Sequence, residues 1–146
     1  MFKYDFDLGV LLRPGFTQLL IDGVVHTIGL ALVSGALSFV LGAGLAMLRE
    51  AHFLPVRLDA NSVELVVRKN PALFWIMFFY FAFPELLPAP WGASLHEWHG
   101  YVFVAGVFGL AADNSVYLSD ILRNGMVNVG QGQREAAASC GLSRWQ

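Results

Sequence analysis

Between Asp22 and Arg49 the chain runs from Gly23 to Leu48 without a single formal charge. At about 1.5 Å per residue, a helix over this stretch exceeds the roughly 30 Å of bilayer hydrocarbon. Only 14% of the 146 residues are charged and 56% are hydrophobic, against roughly 25% charged in an average soluble domain. A bilayer is therefore the expected solvent. The stretch is too long, and starts too far from Met1, for the apolar core of a cleaved signal peptide, and the preceding Phe2-Lys3-Tyr4-Asp5-Phe6-Asp7 lacks the basic character of one.

Two further apolar blocks follow. Asn70 to Pro84 is short for a span, but extending it back through Leu65, Val66 and Val67 restores the length if Arg68 and Lys69 snorkel to the headgroups. The third block starts at Tyr101, meets Asp113 and can stay helical to Leu122. Between them, Pro84, Pro88, Pro90 and Gly92 with Trp91 and Trp98 suit a turn at the membrane interface. The expected organisation is an all-α membrane protein of three transmembrane helices, 23–48, 63–83 and 101–122. They are joined by a cytoplasmic loop 49–62 and an external loop 84–100, and flanked by an external segment 1–22 and a cytoplasmic segment 123–146.

Orientation follows from the basic residues. Arg49, Arg57, Arg68, Lys69, Arg123, Arg134 and Arg144 fall on one side of these spans, and Lys3 and Arg13 on the other. The positive-inside rule then puts the N-terminus outside and the C-terminus in the cytoplasm. The lone Cys140 would face a reducing compartment, forbids an intramolecular disulfide and cannot build a Cys-rich zinc site.

Several functions are disfavoured. A net charge of −2 with nine Lys+Arg offers no basic surface for nucleic acid. Lys3 and Lys69 are the only lysines, and neither lies in a Gly-x-x-x-x-Gly-Lys-Ser/Thr run, so this chain has no P-loop. A Gly-x-Ser-x-Gly elbow is also missing. His96 and His99 have a spacing that suits a metal, but the order is not His-Glu-x-x-His and no third ligand is evident, so no metal site is assigned. Trp98 there more simply anchors an interface.

Three groups of residues stand out. Ser34, Ser38, Gly42 and Ala46 recur every four residues, a stripe either of ordinary small residues or of a close helix–helix contact. Asp113, with Asn114 and Ser115, places an ionisable group inside a span; it lines a polar route or else reaches the cytoplasmic interface. His26, near the outer end of the first span, reads as interfacial. The segment Gln133-Arg134-Glu135-Ala136-Ala137-Ala138-Ser139-Cys140-Gly141 reads as a short helix that Gly141 ends in a left-handed conformation. It is either a surface helix without a partner or one whose small residues permit close docking.

The order of these motifs resembles the permease subunits of bacterial ABC importers for polar amino acids. Gly132-Gln133-Arg134-Glu135-Ala136-Ala137 with Gly141 is similar to that family's Gly-Gln-x-Glu-Ala-Ala-x-x-x-Gly cytoplasmic loop. Tyr117 to Gly125 resembles its Tyr-x-x-Glu-x-x-Arg-x-Gly run, with Asp120 in place of Glu. Arg68-Lys69-Asn70-Pro71 followed by Phe79 to Pro84 resembles its Arg-x-x-Pro and Tyr-Phe-x-x-Pro signatures. Gly23 and Thr27 fit the start of its first span. Glu64 stands one residue further from Arg68 than in the family pattern, and Asp113 stands where that pattern has an uncharged or histidine-like residue.

The resemblance implies a transport subunit rather than an enzyme, forming the N-terminal part of a five-helix fold in the bacterial inner membrane. The chain stops after the third helix, which suggests a fragment or an interrupted reading frame. Implied partners are a cytoplasmic ABC ATPase carrying ATP and magnesium, a second permease or another copy of this chain, an external solute-binding protein, and lipid. No cofactor is expected on this chain itself. Gln133, Glu135, Ala136, Ala137 and Gly141 would then couple to the ATPase, and Asp113, Asn114 and Ser115 would line the substrate path. Which amino acid is carried is not encoded in any of these residues. Rival readings are a small structural membrane subunit that packs through the Ser34/Ser38/Gly42 stripe, and a membrane-embedded enzyme using His26, Asp113 or His96.

Overall fold

The computed structural model describes residue 9, residues 14–128 and residues 130–142, and among these every long element is a helix. Lys3, Arg13 and Arg144, used above for orientation, lie outside the described residues, as does most of segment 1–22. The first helix, α1, spans Pro14–Arg49 and so starts earlier than Gly23. Most of it is uncovered: Leu19, Leu32, Val40 and Met47 are each about two-thirds exposed or more. A long apolar helix that is mainly unburied is not the core helix of a soluble protein, which would hide such residues.

The expected span 63–83 is not one helix. Helix α2 (Leu54–Lys69) ends where Asn70 turns extended (φ −107°, ψ 138°), and α3 (Ala72–Met77) starts after Pro71. The cause is local: the Pro71 ring clashes with an α-helical residue before it, which pushes Asn70 out of the helix. Asn70 then donates its side-chain amide to the Val66 carbonyl (2.7 Å), satisfying an acceptor that the interrupted helix frees. Extending the apolar pattern backwards through Val67 overlooked this stop.

From α3 the chain continues through a π-helical turn, Phe78–Ala82, into α4 (Phe83–Glu85). The loop 84–100 is more ordered than a turn, since α5 (Ala89–Glu97) occupies its middle with Pro90 near its start. Helix α6 runs Tyr101–Asn128, past the expected end at Leu122, and α7 covers Gln131–Ser139.

Helices α1 and α6 are parallel. Gly29 faces Phe103, Gly42 lies against Ser115 and Leu118, and Arg49 meets Asp120, so both helices advance in one direction. The segment α3–α4 runs the opposite way: Ile76 lies against Gly109, the Phe79 and Phe108 rings are 5.7 Å apart, and those of Tyr80 and Tyr101 6.1 Å apart.

The small-residue stripe is buried, and at Gly42 it meets α6 closely. Ser34, Ser38, Gly42 and Ala46 are all buried. A Cβ on Gly42 would lie 2.8 Å from both the Leu118 Cβ and the Ser115 carbonyl oxygen, so nothing larger than glycine fits without moving a helix. The serine hydroxyls are satisfied within α1 itself: Ser38 donates to the Ser34 carbonyl (2.6 Å) and Ser34 to that of Ala31 (3.4 Å). With these polar groups internally paired, the surface offered to α6 is small and smooth, which suits association where hydrophobic contrast is weak.

Candidate coupling helix and charge ring

Helix α7 ends as its sequence demands. Gly141 has φ +75°, the left-handed region that glycine occupies without a Cβ penalty. The Gly141 N–H donates to the Ala138 carbonyl (3.0 Å) and the Leu142 N–H to that of Ala137 (3.0 Å), the paired bonds of a Schellman cap. At the other end, the Gln133 N–H donates to the Gly130 carbonyl (3.0 Å). Of the expected coupling residues, Gln133, Glu135, Ala136 and Gly141 are exposed and Ala137 is half-buried. The helix thus offers a short surface of small side chains, with both ends fixed by main-chain bonds.

Where α1, α2 and α6 converge, four charged side chains close a ring that sequence reasoning did not assemble. The Arg49 guanidinium, only 8% exposed, contacts Glu64 (2.9 Å) and Asp120 (2.7 Å). Arg68 closes the circuit, pairing with Glu64 (2.8 Å) and with Asp120. Arg49 also donates to Asn61 Oδ1 (3.2 Å) and Ser119 Oγ (3.3 Å). A buried arginine is tolerable only when its charge and its donors are both matched, and here two carboxylates and two neutral oxygens do so. Arg68, expected to snorkel to the headgroups, is held by two acids and lies over the Tyr117 ring at 5.8 Å. One helical turn beyond Asp120, Arg123 pairs with Glu50 at 2.6 Å. The available signal in the sequence was the i,i+4 spacing of Glu64 and Arg68; Arg49 and Asp120 meet only through the fold.

The residues expected along a substrate path do not share a face. Asp113 is half-buried, Asn114 is exposed, and Ser115 is buried beneath Gly42, its hydroxyl donating to the Ala112 carbonyl (2.7 Å). Asn114 alone of the three lines an open groove of about 500 Å³, together with Gly35, Ser34 and Ser38. His26 bonds the Asp22 carbonyl (2.8 Å) and, like His99, lines a largely apolar cavity towards the opposite end of α1 from the charge ring. His96 approaches Glu85 at 3.7 Å. Among the described residues no three His, Cys, Asp or Glu side chains gather to hold a metal ion.

No protein-family model matches the chain. It is similar to the glutamate/aspartate import permease protein GltK of Escherichia coli, at 27% identity over 98% of this chain and 62% of the relative. It is also similar to the probable glutamine ABC transporter permease protein GlnP of Bacillus subtilis, at 37% identity over 86% of this chain and 53% of the relative. The arginine transport system permease protein ArtQ of the same organism matches at 28% identity over 84% of this chain and 52% of its own length. Among solved structures, a crystal structure of an amino acid ABC transporter with histidines superposes with a TM-score of 0.73 and 28% identity, covering 98% of this chain and 60% of that one. The chain thus spans little more than half the length of the curated relatives it matches.

Proposed function

From its homology to amino-acid ABC transporter permeases, we infer that this chain forms part of the membrane channel of an ATP-driven amino-acid importer and couples it to a cytoplasmic ATPase. It is a transport subunit, and ATP with magnesium is consumed on the separate ATPase. The other partners are a second permease or copy of this chain and an external solute-binding protein.

The observation that best supports this reading is helix direction. Because α1 and α6 run parallel, the chain between them must return from the level of Asp120, beside Arg68, to the level of Tyr101, beside Tyr80. Along α6 that is 19 residues, roughly 28 Å at 1.5 Å each, close to the hydrocarbon thickness. The second crossing is then made by the end of α2 and by α3–α4 together, with the Pro71 break tied to the charge ring. In this scheme of three crossings α7 lies on the side where the basic residues cluster, the cytoplasm, and the N-terminus lies outside.

Within this scheme Gln133, Glu135, Ala136, Ala137 and Gly141 seat α7 on the ATPase, and Asn114 offers an amide to the translocation route. Asp113 and Ser115 act on that route only indirectly, from adjoining faces of α6. Copurification of an ABC ATPase, with solute uptake that depends on ATP, is the expected result. A chain that purifies with other membrane proteins but no ATPase would be a structural subunit, and one that turns over a substrate without partners would be an enzyme.

A further inference from the structure

We propose that the charge ring and the Arg123–Glu50 pair form a two-tier clamp that fixes α6 in register against α1, so that movement of α7 reaches the whole first span. The proposal rests on the transport reading above and assigns positioning roles to Arg49, Glu50, Asp120 and Arg123.

The polarity of the two tiers carries the inference. Consecutive residues at the end of α1 present a cation, Arg49, and then an anion, Glu50. Helix α6 answers in the reverse order, with Asp120 opposite Arg49 and Arg123 one turn further on opposite Glu50. A slip of α6 by one turn along α1 in one direction brings Arg123 towards Arg49; a slip in the other brings Asp120 towards Glu50. Either places like charges together, so the pairs oppose sliding as well as separation. Gly42 seats Leu118 by shape alone, and the buried Ser38 and Ser34 add no side-chain knobs of their own, so the charge pairs supply the polar part of the register lock. Glu64 and Arg68 bring α2 into the same ring, which joins three helices at one level.

Below this level α6 continues as helix from Asp120 to Asn128, and α7 opens at Gln131. A displacement of α7 then acts on a continuous helical arm whose far end is keyed to α1. With the key removed, the same displacement is absorbed as slip between α1 and α6, and the ATPase turns over without moving the path.

The test uses the assembled transporter in proteoliposomes, reading solute uptake and ATP hydrolysis on one preparation. Asp120→Asn keeps side-chain volume and removes the charge shared by Arg49 and Arg68; Arg123→Gln opens the exposed tier, where folding is not at stake; Asp120→Glu is the conservative rescue. The expected result is that uptake per ATP hydrolysed falls at least tenfold in Asp120→Asn and at least threefold in Arg123→Gln, and returns to within twofold of wild type in Asp120→Glu. Uptake and hydrolysis that fall in parallel in Asp120→Asn, with the Arg123→Gln ratio unchanged, would mean a merely structural ring and overturn the proposal. An unchanged ratio in both variants would overturn it as well, while leaving the transport reading intact. Wild-type preparations that capture no ATPase would overturn the transport reading, and the clamp with it.

Discussion

Tyr101 donates its hydroxyl hydrogen to the main-chain carbonyl of Phe79, in the middle of the π-helical turn. The reason lies at Pro84. In this turn the Phe83 N–H bonds the Phe78 carbonyl, five residues back. The next acceptor in that register, Phe79, would wait for the N–H of residue 84, which proline does not have. Tyr101, buried at the first position of α6, supplies the missing donor from another helix. Away from water an unmatched carbonyl is costly, so this bond stabilises the turn that faces α6.

Tyr101→Phe should therefore destabilise the fold by about 1–3 kcal/mol, the cost of one buried acceptor left unmatched. Pro84→Ala restores an N–H, and the same tyrosine substitution should cost markedly less in that background. Denaturant midpoints in detergent measure the cycle; equal costs in the two backgrounds would show that Pro84 and Tyr101 are not linked through Phe79.

Gly42 sets the separation of α1 and α6. Gly42→Val should cost about 1–3 kcal/mol, typical of forced overpacking, and should reduce disulfide formation between cysteines introduced across α1 and α6. Gly44→Ala serves as the control, since a Cβ there meets nothing within 4 Å. A Gly42→Val protein as stable as the control would refute the close contact.

The two tiers of charge differ in burial and so in energy. Arg49→Met leaves two acids short of a partner in a buried setting, and a loss of about 3–5 kcal/mol is expected. Arg123→Ala breaks an exposed pair and should cost less than about 1 kcal/mol. Chemical unfolding of both variants checks the order; equal losses would contradict the burial difference.

Gly141→Pro removes the N–H that caps Ala138 and forbids the positive φ of the Schellman cap. In the assembled transporter, uptake should fall at least tenfold while ATP hydrolysis continues. Ala137→Trp, which blocks close docking on the half-buried side of α7, should act in the same direction. Wild-type uptake in both variants would remove α7 from coupling.

The features legible in the sequence are those whose cause is local. The apolar part of α1 from Gly23 to Leu48 follows from its lack of charge, though its start at Pro14 does not; the stripe follows from four-residue spacing, and the end of α7 from a glycine after an alanine run. Pro71 is equally visible, but its effect on Asn70 competes with the apolar pattern on either side. The charge ring was not legible because its members come from α1, α2 and α6, and residues 49 and 120 become neighbours only when two parallel helices align. The Tyr101–Phe79 bond is hidden for the same reason, since nothing in the local sequence of α6 shows that the π-helical turn before Pro84 lacks a donor. Asp113, Asn114 and Ser115 were grouped by adjacency in sequence, whereas helical geometry turns neighbours about 100° apart.

The native Cys140, exposed at the end of α7, reports directly on docking of this helix to a cytoplasmic ATPase. Cross-linking from this single cysteine in membranes is predicted to capture the ATPase subunit, and labelling by an impermeant maleimide should occur in inside-out vesicles but not in intact cells. Labelling of Cys140 from the external face, without any cross-link to an ATPase, would contradict the account.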